Sequence, residues 1–341
     1  MSRIKYFFIC CLSIIITFEI SAQKSYFLRN AAPAEGHYKT LSDFDSRPDS
    51  VFSWMDTIKY PRKEVATSTL AATMLRTVYL IEDVPDLLDI QKAPANSSDQ
   101  TRKELEFLLE LQKKRTDADI ERYRKLAGIF HSPSNFNPLD PDYSRNFSSL
   151  FHIGSPLGDW YTYQNLPRTA KLMSNVYRDA MYYIFKMKVQ LNRPRPYHLE
   201  SKLAALEKPP HQSYPSGHSS ASYANAFIMI EIAPELSGEF LKLAGEMALS
   251  REYLGCHYPS DSEMGRLWAR KFVNELFNKE KFLSDFEAAK KEILEYRKNQ
   301  SAKGGVSSAV KQSGCVEEKS DGLCPSTCSS SCSSSCCNSE N

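Results

Sequence analysis

Between Ser250 and Asp261 the chain reads Ser-Arg-Glu-Tyr-Leu-Gly-Cys-His-Tyr-Pro-Ser-Asp, and three of these residue types suit phosphate chemistry. Arg251 offers a fixed cation ahead of His257, and Asp261 offers a carboxylate just after it. A carboxylate bonded to one ring nitrogen fixes the imidazole tautomer and leaves the other nitrogen free to attack. Gly255 and Pro259 bend the chain between these groups. Asp261 also has a purely structural reading, as an acid in the first turn of a helix.

Two further clusters supply what such a site would need. Ser213-Tyr214-Pro215-Ser216-Gly217-His218-Ser219-Ser220 reads as a turn entering a helix. There Gly217 lets the backbone approach an anion, the Ser216 hydroxyl and the first N–H groups can donate to its oxygens, and His218 can exchange a proton. The other cluster is Lys188-Val-Gln-Leu-Asn-Arg193-Pro194-Arg195-Pro196. Seven residues turn through almost two helical revolutions, so Lys188 and Arg195 point the same way if the helix holds. Lys186 and Arg193 repeat that spacing two residues earlier, which leaves the register open. The bland reading of this cluster is a basic helix end favoured by the macrodipole.

The elements that must position these groups read as helices. Apolar residues recur at helical spacing over 64–81, where Pro85 ends the pattern. Ser97, Ser98 and Asp99 offer caps for a long amphipathic stretch that carries Leu105, Leu108, Leu109 and Leu111 and continues to Gly128. Helix returns from Pro167 and must stop at Pro194 and Pro196. A buried helix over 221–232 follows, then another from Pro234, one capped by Ser260, and a last amphipathic helix over 281–297. No sustained two-residue alternation occurs, so the fold class expected is all-α.

The 341 residues are 42% hydrophobic, enough for a sizeable core. Lys plus Arg (43) nearly balances Asp plus Glu (41), and a net charge of +2 gives no global basic field for nucleic acid. Arg3 and Lys5 precede an apolar run over 6–20 and then Ser21-Ala22-Gln23, the pattern of a cleaved signal peptide. That run is too short to span a bilayer, so the mature chain is expected to be exported, to the periplasm or beyond, without stable membrane insertion. Of nine cysteines, Cys10 and Cys11 lie in that segment, Cys256 lies beside His257, and six lie at 315–337 among serines, in a spacing that fits no zinc site. The expected organisation is a signal peptide at 1–22, an extended N-terminal arm at 23–61, an all-α domain at 62–298 and a Ser/Cys-rich disordered tail at 299–341.

Taken together, the three clusters resemble the signature of the type 2 phosphatidic acid phosphatase superfamily: Lys-x6-Arg-Pro, then Pro-Ser-Gly-His, then Ser-Arg-x5-His-x3-Asp. They stand here in order as Lys188/Arg195-Pro196, Pro215-Ser216-Gly217-His218 and Ser250-Arg251/His257/Asp261. Within the superfamily the chain is similar to the class A bacterial non-specific acid phosphatases over about 167–277. The resemblance implies a compact multi-helix bundle of the acid phosphatase and vanadium haloperoxidase type, commonly a homodimer, that hydrolyses small phosphomonoesters without metal or other cofactor through a phosphohistidine. By position it implies His257 as nucleophile, His218 as acid for the leaving group and Asp261 as the partner of His257. It places Lys188, Arg195, Ser216, Gly217 and Arg251 on the phosphate. Tyr197 after Arg195-Pro196 resembles the aromatic that follows in class A enzymes and favours that register, with Lys186 and Arg193 still open. Cys256 stands where a small apolar residue would serve. Two other functions remain compatible with these residues: a vanadium-dependent haloperoxidase on the same scaffold, or a non-enzymatic envelope protein that binds phosphate groups.

Overall fold

The structure, a computed structural model, describes residues 37–82, 84–129 and 139–312. The expected signal segment at 1–22 lies outside the described residues, as do the tail cysteines. Two compact units divide the chain at Met1–Leu294 and Glu295–Asn341, and the first carries every residue of the candidate site described below.

Twelve α-helices occur among the described residues: α1 (His37–Leu41), α2 (Thr67–Ala72), α3 (Pro85–Leu88), α4 (Asp99–Lys114), α5 (Asp117–Ala127), α6 (Tyr143–Leu150), α7 (Pro167–Leu191), α8 (Pro196–Leu199), α9 (Gly217–Ile232), α10 (Ser237–Tyr253), α11 (Pro259–Phe277) and α12 (Glu280–Gln312). Short 3-10 turns join some of them, and no strand is present among the described residues, so the fold is all-α as expected. Helix α9 is apolar nearly all round, from Ala221 through Phe227, Ile228 and Met229 to Ile232, and such a helix must be covered on every side. It is the centre of the bundle, packed mainly against α10 and α11, with α7 alongside. At its N-terminal end α11 comes very close. A Cβ at Gly265 would lie 2.8 Å from Ser219 Cβ and 2.9 Å from the Ser216 carbonyl oxygen, so only glycine fits.

Several helix expectations change. The pattern over 64–81 yields only the six-residue α2, and Leu70, Met74 and Ile81 are exposed. Asp179 of α7 accepts from the backbone N–H groups of Val78, Tyr79 and Leu80 at 2.6, 2.8 and 3.0 Å, which takes donors that a helix would have used and holds the segment as a loop. The long stretch expected from 97 to 128 is two helices. Thr116 and Asp119 form a reciprocal capping box that starts α5 anew, and Arg115 turns away to donate to the carbonyls of Tyr253 and Ala204. The stretch expected as an extended arm is packed over its described part, where Leu41 and Tyr60 are buried and Tyr38 donates to Glu252 at 2.6 Å. Helix α12 continues to Gln312, past the boundary expected at 299, with no proline to interrupt it before Pro325. Ser260 is not the cap of α11. Tyr258 occupies that position, and its N–H donates to Asp261 Oδ2 at 3.0 Å.

Candidate active site

Two backbone hydrogen bonds gather the three sequence clusters. Ser213 N donates to the Arg193 carbonyl at 3.1 Å, and Ser216 N donates to the Asp261 carbonyl at 2.9 Å. Around this junction lies a cavity of about 270 Å³ lined by Lys188, Gly217, His218, Arg251 and His257, with Tyr177, Met181, Ile184 and Phe185 of α7 forming an apolar wall. His211 and Glu207 also line it.

His257 follows the turn after α10, where Gly255 takes φ +71 and reverses the chain. Its Nδ1 lies 2.8 Å from Asp261 Oδ2, an oxygen that also accepts from Ser213 Oγ at 2.5 Å and from Tyr258 N. Its Nε2 lies 2.8 Å from Nη1 of Arg195. A guanidinium only donates and a carboxylate only accepts, so the two contacts require the same tautomer: the proton on Nδ1 and the lone pair on Nε2. Burial pushes the His257 pKa well below the usual imidazole value, and Arg195, Lys188 and Arg251 push it further.

The structure decides the register of the basic cluster, though not in the way a continuous helix would. Asn192 takes a left-handed φ of 48° and ends α7 at Leu191, so Lys188 and Arg195 do not share a helix. Arg195, the extended residue that precedes α8, reaches His257 from there. Lys188 and Arg195 are both buried at the site, whereas Lys186 packs on the Tyr182 ring and its hydroxyl. The Lys188 ammonium donates to the carbonyls of Gln212, Ser213 and Pro215 at 3.0, 2.9 and 2.6 Å, and so pins the turn that leads into α9. Burial, then Arg195, lowers its pKa well below the usual lysine value. Arg251 is held bidentately by Glu207 at 2.8 and 2.6 Å, while its buried Nε has no partner.

Ser216 caps α9, its hydroxyl accepting from Ser219 N at 3.4 Å. A Cβ at Gly217 would meet Ile184 at an ordinary 3.8 Å, so the protein itself does not demand glycine there. His218 Nε2 lies 3.0 Å from the carbonyl of Ala127, the last residue of α5. A carbonyl only accepts, so this ring nitrogen carries a proton. Cys256 is fully buried with its sulfur on the Arg251 carbonyl, and burial pushes its thiol pKa up.

Four other residues complete the arrangement. Arg193, read as half of a rival clamp, instead donates to Asp261 Oδ1 at 2.7 Å and to Glu104 Oε2 at 3.2 Å. Its guanidinium lies 3.8 Å from the Tyr258 ring centroid. No sequence pattern singles out Glu104, which lies among the leucines of α4, or His211, and Ser213 reads in sequence only as part of a turn. His211 Nδ1 lies between Nη2 of Arg195 at 2.9 Å and the Gln212 carbonyl oxygen at 3.1 Å. Among the described residues no three or more His, Cys, Asp or Glu side chains gather as a metal site.

Residues 172–280 match the profile of the PAP2 superfamily and enclose Lys188, Arg195, Ser216, Gly217, His218, Arg251, His257 and Asp261. The chain is 30% identical over 158 residues to a non-specific acid phosphatase of Providencia stuartii, which covers 45% of this chain and 61% of that protein. It is 29% identical over 137 residues to an acid phosphatase of Zymomonas mobilis, covering 39% of this chain and 52% of the relative. The match thus spans between half and two thirds of each relative's length. A bacterial vanadium-dependent iodoperoxidase superposes with a TM-score of 0.48 at 18% identity over 71% of this chain and 64% of the other. Glu104 and the α5 carbonyl at Ala127 lie outside the segment that matches the PAP2 profile.

Proposed function

We propose that this protein is an exported phosphatase, a hydrolase of small phosphomonoesters that works through a phosphohistidine at His257 without a metal. The observation that carries the reading is the tautomer of His257, set from both sides by Asp261 and Arg195. Its Nε2 lone pair forms the bond to phosphorus, the bond from phosphorus to the ester oxygen breaks, and His218 passes its proton to that oxygen. Water then attacks the phosphohistidine, His218 takes up a proton from it, phosphate leaves, and the Nε2 lone pair is restored. Arg195, Arg251, the Ser216 hydroxyl and the backbone N–H of Gly217 would serve the equatorial oxygens, where charge accumulates, and Lys188 adds positive charge while holding the turn.

Acid phosphatase relatives and the enclosure of all eight site residues by the PAP2 segment support this reading. Release of phosphate from p-nitrophenyl phosphate in the presence of chelator tests it, with the His257→Ala variant expected to release none and to trap no acid-labile phosphoenzyme. Full activity in that variant, or a requirement for added divalent ions, would overturn it. Export predicts that the mature protein begins after Ala22, which N-terminal sequencing of secreted material reads directly.

A further inference from the structure

The fully buried Glu104 of α4 contacts neither the cavity nor the histidine. A buried carboxylate is costly unless it is paired and hydrogen-bonded, and this one is satisfied on both oxygens. Oε1 accepts from Ser260 N at 2.7 Å, and Oε2 accepts from Ser260 Oγ at 2.9 Å and from Arg193 Nη2. Arg193 donates in turn to Ser260 Oγ and to Asp261 Oδ1, so one guanidinium is shared by two carboxylates. Burial alone would favour proton loss from Arg193, but Asp261 and Glu104 outweigh it and keep the group charged.

Charge counting gives this arrangement a meaning. Arg193 by itself would cancel Asp261 and leave nothing negative behind the Nδ1–H of His257. Burial pushes the Glu104 carboxyl pKa up, while Arg193 and the Ser260 donors hold the ionised form, and an ionised Glu104 restores one net negative charge to the group. That charge matters because the cations facing His257 are Lys188, Arg195 and Arg251, with His211 and His218 nearby, and Glu207 is spent on Arg251. When Nε2 bonds to phosphorus the imidazole becomes cationic, and a neutral backing would destabilise that state.

We propose that Glu104 is a positioning residue for the phosphatase reaction, acting through Arg193 on Asp261 to keep His257 backed by negative charge. This inference rests on the phosphohistidine reading above. Glu104→Gln keeps the shape and removes the charge. The variant is expected to lose about tenfold or more in kcat per active site, the scale of one hydrogen bond to a charged group, with KM changing far less. With less negative charge behind it His257 binds a proton more weakly, so the acidic limb of kcat/KM moves to lower pH while the basic limb stays. The ionisation of the substrate is common to both proteins and cancels.

The double variant Glu104→Gln/Arg193→Met removes both charges of the pair and leaves Asp261 alone behind the histidine. Its acidic limb should return toward that of the wild type. Acid-trapped phosphoenzyme counts active sites in each preparation, so misfolded protein does not enter kcat. A single variant with unmoved acidic limb and wild-type kcat, or a double variant displaced to low pH, would overturn the proposal. Should the single variant fail to fold, the limb of the double variant decides alone. A wild-type protein that traps no phosphoenzyme would instead sink the reading on which the proposal rests.

Discussion

Nη1 of Arg195 lies 2.8 Å from Nε2 of His257, against the lone pair that is to attack phosphorus, and also 2.7 Å from the Cys256 carbonyl. The same guanidinium donates through Nε to the His211 carbonyl, and its Nη2 lies 2.9 Å from His211 Nδ1. On the proposed mechanism, a phosphate entering the cavity would take one of these arginine donors onto its own oxygen and so free the Nε2 lone pair of His257.

Arg195→Ala should therefore lower kcat/KM by about 10²–10³, the cost of losing a preorganised donor to the transition state. Its pH profile should move opposite to that of Glu104→Gln. Arg195 stands next after burial among the influences that depress the His257 pKa, so its removal raises that pKa and shifts the acidic limb to higher pH. Rate profiles for p-nitrophenyl phosphate from pH 4 to 8 read both effects.

Lys188 and Lys186 should separate cleanly. Lys186→Ala removes a side chain lying on Tyr182 and should leave kcat/KM within about twofold, as surface changes do. Lys188→Met leaves three buried carbonyls without their donor and should cost both activity and stability, the latter by about 1–3 kcal/mol or more. Parallel steady-state kinetics and thermal melts check the contrast.

His218→Ala should hurt esters of poor leaving groups far more than those of good ones, because a nitrophenolate departs without a proton and an alkoxide does not. An alkyl phosphate should lose about 10²–10⁴-fold and p-nitrophenyl phosphate much less. Equal losses on both would assign His218 another role.

Stability should also depend on pH through the buried histidines. His257 and His211 have folded pKa values depressed well below the unfolded value of about 6.5, with burial the largest cause for each. The unfolded chain then binds protons more readily, so this contribution is fully present above about pH 6.5 and is lost as pH falls toward the folded values. Thermal melts from pH 7 to pH 5 should show a falling Tm, with a shallower fall in His211→Gln.

Gly265→Ala should test the spacing of α9 and α11. The added methyl would press on Ser219 Cβ and the Ser216 carbonyl, and forcing helices apart typically costs about 1–3 kcal/mol. Since Ser216 also donates to the Asp261 carbonyl, activity should fall with stability.

What the sequence by itself determined is local in origin. Helical periodicity marked α7, α9, α10 and α11, Pro167 marked the start of α7, and the types and spacing of Lys188, Arg195, Ser216, Gly217, His218, Arg251, His257 and Asp261 pointed to a phosphate site as an expectation. Such signals are legible because each depends on neighbours a few residues away. The tertiary structure decided everything that joins residues far apart in the chain. It ended α7 at a left-handed Asn192, which placed Arg195 against His257 and Arg193 behind Asp261. It took the Val78 to Leu80 amides from a helix and gave them to Asp179. It set Glu104 against Ser260, 156 residues away in sequence, and the end of α5 against His218. Nothing in its local spacing sets Glu104 apart from a solvated acid on an amphipathic helix, because burial and the charge of a partner are properties of the packed bundle.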